Sequence, residues 1–176
     1  MVVDTGWLAE HIRDVADFPV AGVAFKDITP MLGDSRALNF VIDTMADRFV
    51  DLGVDKVLGI EARGFIVAAP VAYRLGAGFV PVRKAGKLPW RVETEEYTLE
   101  YGTDRLEIHA DALQPGERVV IVDDVLATGG TASACARLVE RLGAKVAGLG
   151  FVIELELLQG RSRIDAYDAL SLITYG

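Results

Sequence analysis

Leu38, Val41, Ile42, Met45, Phe49 and Leu52 recur at steps of three and four, which predicts an amphipathic helix over Ser35 to Leu52, with Asp34 as N-cap and Gly53 as stop. A short aliphatic run, KVLGI, follows. Next come a small-residue helical stretch from Gly64 to Leu75 closed by Gly76, and a second run, GFVPVRK. A third run, RVVIVDD, leads into a helix over Thr131 to Leu142 closed by Gly143, and then into KVAGLGFVIEL. Val152 to Leu158 and Ala169 to Ile173 carry weaker patterns. Nearly continuous aliphatic strands alternating with helices predict an α/β fold, a central mostly parallel twisted sheet flanked by helices on both faces. One region breaks the alternation. Between Lys84 and Leu113 the chain is polar and charged, with period-two patches only at YTLEY and RLEIH, and reads as an excursion holding a mobile loop and a two-stranded ribbon.

A chain of 176 residues, 51% of them hydrophobic, supplies one sizeable core, so residues 1–176 are expected to form a single domain. No apolar run approaches the length of a membrane span, and the opening MVVDTGWLAEHIRD carries acids where a secretory leader carries basic residues, so a cytoplasmic protein is expected. Cys135, the single cysteine, sits among apolar helical residues and is expected to be a buried structural thiol. His11 and His109 lie on amphipathic segments and are expected to be structural.

A net charge of −8 argues against a general nucleic-acid surface, because such binding depends on neutralising many phosphates. The charge is uneven, however. From Ala62 to Val92 there is no Asp or Glu, while Arg63, Arg74, Arg83, Lys84, Lys87 and Arg91 all fall there. Such a stretch builds either a local anion site or a solvated basic face.

The candidate chemistry centres on VVIVDDVLATGGTA, Val119 to Ala132. In an open α/β sheet, ligands bind beyond the carboxyl ends of strands, where a helix N-terminus offers unpaired amides to an anion. Gly129 and Gly130 let backbone approach a phosphate, and the Thr128 and Thr131 hydroxyls can donate to it. Asp123 and Asp124 can accept from a vicinal diol, which together suggests a ribose 5-phosphate; the alternative is that they cap the helix. An aliphatic run ending in Asp-Asp also occurs in P-loop nucleotidases, but no GxxxxGK[ST] is present, and neither GAGFVP nor GLGFVI is a dinucleotide GxGxxG.

Val119 to Thr131 resembles the signature of the type I phosphoribosyltransferases. FKDITPML at 25–32, GIEARGF at 59–65, VRKAGKLP at 82–89 and LEYGTDRLEIH at 99–109 are similar to members of that family that act on adenine. The resemblance implies the family's fold, with a small N-terminal hood over residues 1–33 that binds the base and a mobile catalytic loop and ribbon over 84–113. It implies transfer of the phosphoribosyl group from phosphoribosyl pyrophosphate to N9 of adenine, giving AMP and pyrophosphate, in a homodimer.

Carried over residue by residue, Asp123 and Asp124 would hold the ribose hydroxyls, and Ala127, Thr128, Gly129, Gly130 and Thr131 would cradle the 5-phosphate. Arg63, Arg83, Lys84 and Lys87 would serve the pyrophosphate, with Arg83 able to act in the neighbouring subunit. Ala24, Phe25 and Lys26 would read adenine. Glu100, one of several acids in ETEEYTLE, would manage a proton near the purine N7, with Tyr101 beside it in the loop. Mg²⁺ would arrive on the diphosphate, carried by substrate and water and not by a protein cage. Lys26, where many relatives carry arginine, and the WRVETE segment depart from the family pattern, which touches base specificity and loop kinetics. Two other readings stay open: a sensor of phosphoribosyl pyrophosphate without catalysis, and an enzyme for guanine, xanthine or orotate.

Overall fold

A computed structural model describes residues 5–98 and 102–176 of the chain. In chain order its elements are β1 (Arg13–Val15), β2 (Phe25–Asp27), α1 (Thr29–Gly33), α2 (Ser35–Phe49), β3 (Lys56–Ile60), α3 (Gly64–Leu75) and β4 (Gly78–Lys84). There follow β5 (Val92–Thr98), β6 (Thr103–His109), β7 (Arg118–Leu126), α4 (Gly130–Arg141), β8 (Lys145–Leu155) and β9 (Ala169–Tyr175). Seven strands form one sheet in the order β5-β6-β4-β3-β7-β8-β9, while β1 and β2 make a separate antiparallel pair. Strands β4, β3, β7, β8 and β9 run parallel, and β6 joins β4 antiparallel at Arg83↔Glu107 and Lys84↔Leu106.

The aliphatic runs are continuous because the central strands are covered on both faces. Along β3 and β7, Val57, Val120 and Val122 point toward α2 and α3, where they meet Met45, Phe49, Val67 and Val71. Leu58, Ile60, Val119 and Ile121 point to the other face, toward Cys135, Leu138 and Val139 of α4. Period two puts neighbours on opposite faces, and each such side chain removed from water contributes roughly 1.5–3 kcal/mol. Cys135 is fully buried there, and burial pushes its thiol pKa up, so it packs as a small hydrophobe.

The helix boundaries follow their caps. Asp34 accepts a hydrogen bond from Ala37 N at 2.8 Å, and α2 passes into a 3₁₀ turn at Val50–Leu52 before Gly53 turns left-handed. Helix α3 ends at Gly76, again left-handed, with its amide returned to Tyr73 O. The ribbon differs from the expectation in two respects. Its first strand starts at Val92, within the polar VETEE, and not at the YTLEY patch; and it is continuous with the main sheet through β6. Strand β5 lies at the edge, so its outward positions need not be apolar. It is held to α4 by Glu95, which accepts from Arg137 and Arg141, while Arg141 also donates to Thr94 O at 2.7 Å. Burial works against ionisation of Glu95, but these two arginines outweigh it and hold the carboxyl below its usual range.

Candidate functional site

Strand order reverses between β3 and β7: from β3 the chain moves outward to β4 and the ribbon, then returns to the other side of β3 as β7. The carboxyl ends of these two strands are therefore the place where loops diverge and leave a crevice. Into it run Glu61, Ala62 and Arg63 from the end of β3 and Asp123 and Asp124 from β7, with Lys84, Tyr97, Asp104 and Leu106 closing the ribbon side. Together with Ile60 and Thr131 they line a cavity of about 350 Å³. A smaller hollow of about 60 Å³ adjoins it, formed by Val125 to Ala132, and Asp123 and Thr131 border both.

The small hollow is the first turn of α4 and the loop before it. Gly129 occupies the N-cap position at φ +77°, and no side chain caps the helix. Its leading amides therefore face the hollow with the positive end of the helix dipole, the arrangement that holds an anion. The helix-cap reading of the two aspartates is thereby set aside. Asp123 instead accepts from the Asp124 amide at 2.9 Å, and Asp124 is ion-paired with Arg63.

Both carboxylates are buried, Asp123 9% and Asp124 7% exposed. Burial, reinforced by the neighbouring charge of Asp124, drives the Asp123 pKa well above the ordinary carboxylate value. Space for Asp123 exists because α3 opens with a glycine. A Cβ at Gly64 would lie 2.7 Å from Asp123 Oδ1 and 3.2 Å from Val122 O. Gly129 meets the same kind of limit on the far side of the hollow, where a Cβ would fall 2.4 Å from Gly160 O.

The basic stretch does not form a free cationic face. Arg83 donates to Glu61 at 2.8 Å, and Lys87 pairs with the other oxygen of the same carboxylate. Burial raises the Glu61 pKa, but Lys87 and Arg83 outweigh it and leave the carboxyl below its usual value. Lys84 reaches Asp104 at 2.9 Å, which raises the lysine pKa and lowers that of the aspartate. Arg74 turns away, to Asp43 on α2. Among the described residues the two cations that line the cavity, Arg63 and Lys84, are thus each matched to a carboxylate, so an entering anion must share or displace an existing partner.

Ala24, Phe25 and Lys26 lie on and beside β2, in the small N-terminal sheet. The Arg63 guanidinium stacks over the Phe25 ring at 4.9 Å, and Phe18 meets the same ring edge-on at 5.1 Å. This contact joins the β2 region to the crevice. Lys26 is drawn elsewhere, to Asp14 and over the Tyr175 ring at 3.8 Å, while Ala24 is exposed. Glu100 and Tyr101 lie outside the described residues. Tyr97 and Asp104, a directly opposed pair of the ribbon, are within them: the Tyr97 hydroxyl donates to Asp104 at 3.3 Å.

Sequence reading missed Glu61, Tyr97, Asp104 and Gly160. None stands in a signature that spacing alone makes diagnostic. Glu61, Tyr97 and Asp104 reach the site through strand pairing, and Gly160 through a turn that folds back onto the main chain of Ala127 and Gly129.

Residues 31–174 match the phosphoribosyl transferase domain family. The chain is 55% identical over 166 residues to the adenine phosphoribosyltransferase of Desulfitobacterium hafniense, covering 94% of this chain and 96% of that one. Its fold superposes with a TM-score of 0.94 on the crystal structure of adenine phosphoribosyltransferase from Thermoanaerobacter pseudethanolicus, at 53% identity, covering 97% of this chain and 99% of that one. The Saccharomyces cerevisiae adenine phosphoribosyltransferase, solved with an imino-altritol bisphosphate and adenine, matches with a TM-score of 0.89 at 38% identity, covering 96% and 97% of the two chains.

Proposed function

The chain belongs to the phosphoribosyl transferase family, and from that premise we propose that it transfers the phosphoribosyl group of phosphoribosyl pyrophosphate to N9 of adenine, forming AMP and pyrophosphate in purine salvage. The observation that carries this is the adjacency of two compartments: a hollow of main-chain amides that suits a phosphomonoester, and a cavity lined by two buried carboxylates, of which Asp123 stands in the wall the compartments share. A sugar phosphate fits across that boundary in one direction only. Its 5-phosphate lies against Ala127 to Thr131, its diol against Asp123 and Asp124, and C1′ faces the larger cavity.

At the larger cavity Arg63 and Lys84 meet the diphosphate. Each is already oriented by a carboxylate, Asp124 and Asp104, so the donors are in place before the anion arrives. Arg83 and Lys87, steadied by Glu61, border the same side. The oxygen donors of this wall suit a hard cation, and Mg²⁺ entering on the diphosphate with its own waters would neutralise the leaving group there. As the C1′–O bond breaks, positive charge grows on the ribose ring beside the two aspartates, and their negative field favours that change.

Adenine is placed between the β2 segment and C1′, where main-chain groups of Ala24 to Lys26 can read the purine edge and the Phe25 ring supplies an apolar wall. The Lys26 side chain is engaged with Asp14 and Tyr175, which fits a main-chain role for that residue. Glu100 takes the proton-managing role near N7, with Tyr101 beside it.

We further assign the chain to the cytoplasm as a homodimer. No helix among the described residues is long and apolar enough to cross a membrane. Support for the dimer is the outer face of α3, where Ile66, Ala69 and Tyr73 share one exposed side with Phe79 nearby. The test is direct: purified protein with phosphoribosyl pyrophosphate, Mg²⁺ and a mixture of adenine, guanine, hypoxanthine, xanthine and orotate should consume adenine first and release one pyrophosphate per AMP. Turnover of another base in preference to adenine would reject the base assignment, and turnover of none would reject the enzyme.

A further inference from the structure

The turn that follows β8 reaches back to the phosphate loop. A Cβ on Gly160 would stand 2.1 Å from Ala127 O and 2.8 Å from Gly129 N, and one on Gly129 would stand 2.4 Å from Gly160 O. Two backbones therefore press directly on each other, and the position of the Gly160 turn sets how far Ala127 and Gly129 can retreat from the hollow.

Ser162 Oγ closes that turn on itself by donating to Gln159 O at 2.7 Å, and Arg161 ties it to the neighbouring strands. Arg161 donates Nε to Glu154 Oε1 at 3.1 Å and Nη2 to the other Glu154 oxygen, a two-point clasp on one carboxylate. Its guanidinium also donates to Ala169 O at 2.7 Å and to Ser171 Oγ at 2.9 Å. Glu154 is itself buried near the end of β8, in register with Leu126 on β7, the residue immediately before the phosphate loop. Partnership with Arg161 keeps its carboxyl ionised below the usual range, against the opposing effect of burial. Strand ends, Glu154, Arg161, Gly160 and the loop thus form one closed mechanical path.

We propose that Arg161 is a positioning residue for the phosphate loop: through Glu154 and Ser171 it fixes the Gly160 turn as a buttress behind Ala127 and Gly129, and so sets the main-chain cradle for the 5-phosphate. The inference rests on the functional reading above, and it makes the affinity for the sugar phosphate, not for the base, depend on a residue that touches neither.

The experiment compares wild type with Arg161→Ala, Arg161→Lys and Ser171→Ala, measuring KM for phosphoribosyl pyrophosphate and for adenine, kcat, thermal unfolding, and calorimetric binding of ribose 5-phosphate. Arg161→Ala should raise KM for phosphoribosyl pyrophosphate roughly tenfold, as sub-ångström misplacement of a binding group does. It should leave kcat and the adenine KM within about twofold, with the ribose 5-phosphate affinity falling in parallel. Arg161→Lys, which keeps the charge and loses the two-point clasp, should lie between. Ser171→Ala, which removes one acceptor, should show the same asymmetry at smaller size, and it serves as the test if Arg161→Ala does not fold. A folded variant with unchanged affinity for the sugar phosphate overturns the proposal. So does a parallel loss in both KM values and kcat. If wild type itself fails to bind ribose 5-phosphate, the functional reading falls first and this one with it.

Discussion

Replacing Gly64 by alanine adds a single methyl group where the start of α3 packs against the end of β7. The new Cβ would sit 2.7 Å from Asp123 Oδ1, 3.2 Å from Val122 O and 3.3 Å from Asp123 Cα, whereas ordinary contact begins at 3.4 Å. The difference, 3.4 minus 2.7, requires a retreat of roughly 0.7 Å by the carboxylate or by the start of α3. Neither is free. Asp123 is tied to the Asp124 amide, and the residue before Gly64 is Arg63, paired with Asp124. Gly64 has no left-handed φ, so alanine brings a helix-propensity gain of up to about 1 kcal/mol. Overpacking costs about 1–3 kcal/mol, so the gain offsets only part of it and the net loss of stability should lie between about 0 and 3 kcal/mol.

Function has no such offset. Since a misplacement of about 1 Å can cost roughly 10²-fold, kcat/KM for phosphoribosyl pyrophosphate should fall about 10- to 100-fold. Steady-state pyrophosphate release at saturating adenine measures the first quantity, and urea unfolding of the same preparation measures the second. Activity within about twofold of wild type in a folded protein would refute the claim that this methyl-sized gap sets the carboxylate's place.

The remaining expectations concern single side chains. Asp123 has its folded pKa raised by burial and by Asp124, so its contribution favours the folded state fully below the ordinary carboxylate pKa near 3.8 and is lost as pH rises. Asp123→Asn should therefore raise the apparent Tm at neutral pH relative to wild type, with the advantage shrinking toward pH 4, while sugar-phosphate binding weakens; an advantage independent of pH would contradict this. Glu100→Ala should lower turnover more than it weakens binding of phosphoribosyl pyrophosphate, and Asp124→Ala should do the reverse, so matching kinetic profiles for the two would undo the division of roles. Tyr73→Glu, on the exposed apolar face of α3, should shift sedimentation toward the monomer, and an unaltered dimer would place the interface elsewhere. Asp34→Ala should cost about 1 kcal/mol in urea unfolding, the usual worth of an N-cap, with kcat unchanged.

The parts of the fold that could be read from the chain are those where both faces of an element, or one clean stripe, are buried. The start of α2 follows from Asp34 and the end of α3 from Gly76, while the last three residues expected in α2, Val50–Leu52, form a 3₁₀ turn before Gly53; the central strands follow from their unbroken aliphatics. Strand β5 was hidden because an edge strand clasped to α4 through Glu95 has no need of alternating apolar residues, so VETEE looks like a loop. The three-residue β1 and β2 are too short to carry a period. At the site, the acid pair and glycine loop were legible because all their parts are contiguous at one strand-to-helix turn. The carboxylates that hold the cations were not, since Glu61 meets Arg83 and Lys87 only once β3 and β4 pair in register, and Asp104 meets Lys84 only when the ribbon closes. The acid-free stretch is unusual in composition, but five of its six cations pair with carboxylates outside it, from the adjacent Glu61 to the distant Asp43 and Asp124, something that linear composition cannot display.

On the proposed assignment, binding draws on chain segments that are separate in sequence: the strand-to-helix turn after β7 for the sugar phosphate, the ends of β3 and β4 for the leaving group, and the small two-stranded sheet for the base. On that assignment no strand that would grip the sugar would also read the ring. The nucleobase preference can therefore be regrafted through residues 13–27 with the phosphate cradle left intact, subject to one joint between the modules. Because Arg63 lies over Phe25, whatever replaces that short sheet must still offer a flat π surface beneath the guanidinium, or the newcomer will alter the leaving-group side as well.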